Sequence, residues 1–129
     1  IKEAMGDSKQ AIDDYTTEID LSGIKVDAAD SVKTSLLVSA DKDLVPSEIT
    51  ELKEKYNAIA GDWESGAIAY TCKRNNKKLL ILRGVTDIVT STNGEAYHHE
   101  HVFLNGTDVV MKKLIRQLPN WLEKIQMNQ

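Results

Sequence analysis

Lys78-Leu79-Leu80-Ile81-Leu82-Arg83-Gly84-Val85-Thr86-Asp87 decides how the chain is read. The apolar residues run almost without interruption. That pattern predicts a strand buried on both faces, as in a parallel sheet, rather than one that alternates between core and solvent. The run stops at Thr86-Asp87, so an acid stands where the strand ends.

Working backwards, Thr34-Ser35-Leu36-Leu37-Val38-Ser39 is a shorter apolar run that suits a second buried strand, with a loop from Ala40 to Val45 after it. Pro46-Ser47-Glu48 carries helix-start signals, with Ser47 able to accept from orphan backbone N–H groups and Glu48 suited to the positive end of the dipole. The helix is expected to reach Tyr56. Asn57-Ala58-Ile59-Ala60 fits a further strand, and Gly61-Asp62 then punctuates the chain before a helix over 64–73. Its small residues, Ala67 and Ala69, allow close approach to a sheet, Ile68 and Cys72 share a face, and Asn75-Asn76 ends it.

Working forwards, residues 88–106 are rich in Ser, Thr, Asn and Gly and read as a loop with some helical potential. A final helix is expected over 107–127. Met111, Ile115, Leu118, Leu122 and Ile125 form one apolar stripe for core or subunit contact, with Trp121 at its margin. Pro119 should kink or restart that helix. The first thirty residues, polar and acidic, read as edge structure and loop. The alternation of strands and helices predicts an α/β fold: three-layer α/β/α with a mostly parallel sheet, in one domain over 1–129.

Composition narrows the function classes. The 129 residues suffice for one domain, and a net charge of −4 with no basic run argues against nucleic-acid binding. No stretch approaches the roughly 18 apolar residues of a membrane span. Cys72 is the only cysteine, which precludes an internal disulfide and favours a cytoplasmic home. On its helix face of small residues it reads as inert core. His98, His99 and His101 form one cluster in a polar loop without a second ligand group, so no metal is expected. The chain opens at Ile1 rather than Met, which leaves open whether it is a fragment.

Three segments at successive strand ends carry a family resemblance: Ser39-Ala40-Asp41, Asp62-Trp63-Glu64-Ser65-Gly66-Ala67-Ile68-Ala69 and Arg83-Gly84-Val85-Thr86-Asp87. Together, in this order and spacing, they resemble the C-terminal half of the nucleoside phosphorylase and nucleosidase superfamily, in particular the methylthioadenosine/S-adenosylhomocysteine nucleosidases. Those proteins show Ser-Gly-Asp, a Met-Glu pair opening an Ala-rich helix, and an Arg-containing strand ending in Ser-Asp. The resemblance covers about residues 34 to 90 well and the terminal helix loosely.

The resemblance implies a partial phosphorylase/hydrolase-like fold, a small-molecule purine nucleoside as substrate, no cofactor, and a homo-oligomer, at least a dimer. It makes Asp87 the general acid at purine N7, the protonation that lets the base leave as a neutral purine. Glu64 accepts hydrogen bonds from the ribose 2′- and 3′-hydroxyls, and its charge favours the oxocarbenium-like transition state. Trp63 stands where the family has Met beside the ribose, leaving the 5′-group open. Leu44 offers its backbone to the base, whereas Asp43 occupies the place of a purine-stacking Phe. Ser39 and Asp41 support the loop, and Arg83 is expected as a buried structural partner of a carboxylate.

Family members are about twice this length, and their N-terminal half supplies the first strand loop and the acid that activates water. Phosphorylases hold phosphate with that half instead. Hydrolysis and phosphorolysis therefore both remain open, as does a truncated, non-catalytic relative that binds nucleosides or assembles with a partner.

Overall fold

A computed structural model of the chain describes residues 16–27 and 32–126. Strand β1 (Leu37–Ser39) is followed by a 3-10 turn (Pro46–Glu48), helix α1 (Ile49–Tyr56), strand β2 (Ala60–Asp62), helix α2 (Ser65–Arg74) and helix α3 (Glu100–Gln126). The two strands pair in parallel, Leu37 with Ala60, Val38 with Gly61 and Ser39 with Asp62. This β1-α1-β2 unit is a small parallel sheet with its crossover helix, a partial α/β fold. The acidic residues of the first thirty fall partly outside the described residues, as do positions 127–129; residues 16–27 hold one turn, at Leu21 to Ile24, and no strand or helix.

Element ends follow from local chemistry. Pro46 takes the first position of the 3-10 turn, where its missing N–H costs nothing. Asn57 closes α1 in the left-handed conformation, φ 49°, its N–H donating to the Lys53 carbonyl at 2.9 Å. That cap displaces the strand expected at 57–60, and pairing settles on Ala60–Asp62. Asn75 closes α2 as expected, its backbone N–H reaching Thr71 at 3.1 Å and its side-chain amide the same carbonyl at 2.8 Å.

The Lys78–Val85 segment overturns an expectation. Among the described residues it joins no strand ladder, and Val85 is 66 % exposed. It runs past the start of α2 and beneath α3 instead: a Cβ on Gly84 would overlap Val110, and one on Gly106 would overlap the Thr86 carbonyl. An unbroken apolar run announces a need for cover on both sides, which two helices can meet in part, but it does not name a pairing partner.

Helix α3 starts earlier than its polar surroundings suggest. The cluster at 90–94 stays outside it, but Asn105, Gly106 and Thr107 lie within the helix, which runs for 27 residues from Glu100. Pro119 lies within it without ending it, so the expected restart does not occur. The apolar stripe is not core: Met111, Ile115, Leu118 and Leu122 are all exposed, Ile115 at 64 %. Trp121, expected at the margin, is instead 2 % exposed and joins Ile49, Ala58 and Ala69 among the buried apolar residues. Lys124 lies over its ring at 5.4 Å and bonds Lys25 and Asp27, tying the described N-terminal stretch to the helix. Cys72 is half-buried.

Candidate functional site

The parallel register brings the carboxyl ends of β1 and β2 to one edge, where open α/β sheets collect ligand-binding groups. Ala40 extends the pairing, its N–H donating to the Asp62 carbonyl at 3.1 Å. The 40–45 loop and the Asp62-Trp63-Glu64 turn therefore leave side by side. Gly66 lets α2 come down on Ser39: a Cβ there would lie 2.9 Å from Ser39 Cβ. Leu44 folds back over β2, its side chain within 3.0 Å of the place a Cβ on Gly61 would take.

A polar cluster ties this edge to the segment after α2. The Asp62 carboxylate accepts the Ser65 N–H at 3.1 Å, capping the start of α2, and its other oxygen accepts the Ser65 hydroxyl. Arg83 donates to the Ser65 oxygen from Nε at 3.1 Å and from its terminal nitrogen at 3.0 Å. The same nitrogen lies 2.7 Å from Asp62 and 3.3 Å from Glu64. Ser65 is 2 % exposed, so its hydroxyl is satisfied in a place where a lone polar group would be costly. Arg83 is a carboxylate partner as expected, but its side chain is 44 % exposed rather than buried.

Glu64 projects outward from this cluster with 60 % of its side chain exposed, available to accept from a ligand's hydroxyls while Arg83 restrains it. Trp63, 58 % exposed, lines a shallow depression with Asp41, Lys42 and Asp43.

A second cluster surrounds Tyr97. Its hydroxyl donates to the Leu44 carbonyl. Burial raises its pKa above the ordinary phenol value of 10.0, and the nearby negative charges of Asp43 and Asp87 add to that. Asp87 is half-buried, and Thr86 donates its hydroxyl to it at 2.7 Å.

The residues singled out from sequence thus fall into two linked groups: Ser39, Glu64 and Arg83 at the start of α2, and Leu44 and Asp87 near Tyr97. Trp63 and Asp41 share the depression. Among the described residues no hydrogen bond or ion pair joins Glu64 directly to Asp87; the connection runs along the chain from Arg83. Sequence reasoning missed three participants. The spacing of Asp62 and Ser65 is a capping spacing that could have been read. Tyr97 carried no local signal, because its partner lies far away in sequence. The three histidines form no metal group, and no cluster of three ligating side chains occurs among the described residues.

No family model and no solved structure matches the chain. Over 71 residues the chain is 30 % identical to the 5′-methylthioadenosine/S-adenosylhomocysteine nucleosidase of Thermotoga maritima, a stretch covering 54 % of this chain and 33 % of that protein. The chain thus matches about a third of the length of its curated relative, and the similarity supports a relation to the methylthioadenosine/S-adenosylhomocysteine nucleosidases.

Proposed function

We propose that this chain is the C-terminal part of an enzyme that hydrolyses the N-glycosidic bond of a purine nucleoside of the methylthioadenosine/S-adenosylhomocysteine type. Asp87 gives its proton to purine N7 as the C1′–N9 bond breaks and the bonding pair passes to the base. Glu64 accepts from the ribose 2′- and 3′-hydroxyls and faces the positive charge that grows on the sugar. Water adds to C1′ and loses a proton to a carboxylate, acting as general base, supplied by the remainder of the intact protein. Trp63 packs beside the sugar and Leu44 meets the base, with Ser39, Asp41 and Arg83 in support.

The observation that carries this reading is the Arg83 bridge. It contacts Glu64 at the carboxyl edge of the sheet from a residue four positions before Asp87, so the segment that carries Asp87 also meets Glu64. The similarity to the Thermotoga maritima nucleosidase supports the same chemistry. In this reading the intact protein has a three-layer α/β/α domain, works in the cytoplasm without a cofactor, and is a homo-oligomer; the exposed stripe of α3 favours that last feature.

Incubating the intact protein, of which this chain is the C-terminal part in this reading, with methylthioadenosine and with S-adenosylhomocysteine, with and without phosphate, tests the reading. Free adenine and a free thiosugar are expected in both conditions. An absolute need for phosphate with release of a sugar 1-phosphate would replace hydrolysis by phosphorolysis. Nucleoside binding with no cleavage in either condition would mark a non-catalytic relative.

A further inference from the structure

The segment that follows Asp87 is a built element. Ile88 and Glu95 face each other, the Glu95 N–H donating to the Ile88 carbonyl at 3.0 Å and the Ile88 N–H to the Glu95 carboxylate at 2.9 Å. Val89 and Gly94 form an antiparallel bridge, and the turn between them is closed by Thr90, whose hydroxyl accepts the Asn93 N–H at 3.0 Å. Gly94 is buried, and a Cβ there would overlap the Cδ2–Cε2 edge of the Tyr97 ring, so the ring sits against bare backbone. The hydroxyl at the end of that ring donates to Leu44, whose own side chain packs on Gly61 of β2.

We propose that Tyr97 is a positioning residue, a clasp that holds the 40–45 loop against the hairpin following Asp87 and so fixes the Leu44 backbone at the place where the base is bound. The placement of that loop at the base rests on the nucleosidase reading; the clasp itself rests on the hydrogen bond and the packing. The 40–45 loop follows a three-residue strand and, among the described residues, has no sheet partner after Ala40. The Tyr97 hydroxyl ties this loop to the segment that follows Asp87. A backbone carbonyl accepting a phenol is fixed in direction, which a base-reading edge requires and a free loop does not provide. Asp43 and Asp87 lie near enough to act electrostatically on the same phenol, so both approach this point.

The test uses Y97F, which keeps the ring and removes the donor, and G94A, which keeps the donor and displaces the ring. Hydrogen exchange at the amides of 40–46 is read in both, with circular dichroism verifying the fold. A single lost hydrogen bond predicts exchange about 3- to 10-fold faster at those amides in Y97F, with α2 unchanged. G94A should act in the same direction. Unchanged exchange at 40–46 in folded Y97F overturns the clasp, and so does an increase spread evenly over the molecule.

Kinetics give the second arm. Where the wild type cleaves a purine nucleoside, Y97F should raise KM about 5-fold or more and leave kcat within about 2-fold. A fall in kcat at constant KM would overturn the positioning role. Where the intact wild-type protein cleaves no nucleoside, the nucleosidase reading fails, and the exchange measurement alone decides the clasp.

Discussion

Arg83 places one terminal nitrogen 2.7 Å from the Asp62 carboxylate while two of its nitrogens hold the Ser65 hydroxyl, so a residue from the segment after α2 locks the residue that caps α2. Replacing Arg83 by Met leaves Asp62, only 13 % exposed, with an uncompensated charge and should cost about 2 kcal/mol. S65A removes the shared hydroxyl and should cost about 1 kcal/mol. Because the groups form one network, the double variant should lose less than the two single losses combined, by about 0.5–1.5 kcal/mol. Urea denaturation of the four proteins measures this, and strict additivity would dissolve the network.

Activity and stability should separate at the two carboxylates. D87N should lower kcat by roughly 100-fold or more, since an amide cannot supply the proton, while the amide oxygen still accepts from Thr86. E64Q should weaken both substrate binding and turnover, yet shift stability by less than about 0.5 kcal/mol, because its pair with Arg83 is open to solvent. Thermal melts beside initial rates check both. Full turnover in D87N would remove the acid from the mechanism.

Gly106 should reverse the usual helix rule. Gly to Ala inside a helix ordinarily gains up to about 1 kcal/mol. Here the added methyl would meet the Thr86 carbonyl, a backbone atom with little freedom to yield, and G106A should instead lose about 1–3 kcal/mol. N105A, at an exposed position one residue earlier, provides the control and should be neutral or stabilising.

Tyr97 makes stability fall in alkali. Its folded pKa is raised above 10.0, so the folded state holds this proton where the unfolded state has released it. Stability from this group is complete below about pH 10 and declines as pH rises through the folded value. Subtracting the phenolate absorbance titration of Y97F from that of the wild type should leave one step above pH 10.0. A step at or below 10.0 would contradict the environment described for this phenol.

What could be read in advance was whatever depends on neighbours in sequence. Pro46 and Tyr56 bracket the 3-10 turn and α1, Asn75 ends α2, and the run ending at Ser39 holds the first strand, whereas the second lies at Ala60–Asp62 rather than at 57–60. Tertiary choices were less legible. The 78–85 run had the strongest strand pattern and yet takes no ladder partner, because hydrophobicity records a demand for cover and not its supplier. The same ambiguity affected α3, where periodicity gave the stripe correctly but not its surroundings; Trp121 went inside and Ile115 outside. At the site, the ion pairing of Arg83 was foreseeable from its charge. Tyr97 was not, because its bond to Leu44 exists only once two distant segments have met.

The pairing of Ser39 with Asp62 also determines where the chain tolerates insertion or deletion. Residues added in the crossover, beyond the Leu44 anchor and before Ala60, would lengthen a connection whose two ends stay pinned. Deleting a single residue inside β2 would invert its alternation and turn Asp62 away from Arg83, and one inside β1 would do the same to Ser39. Length variation among natural or engineered versions of this chain should therefore concentrate around α1 and spare both strands.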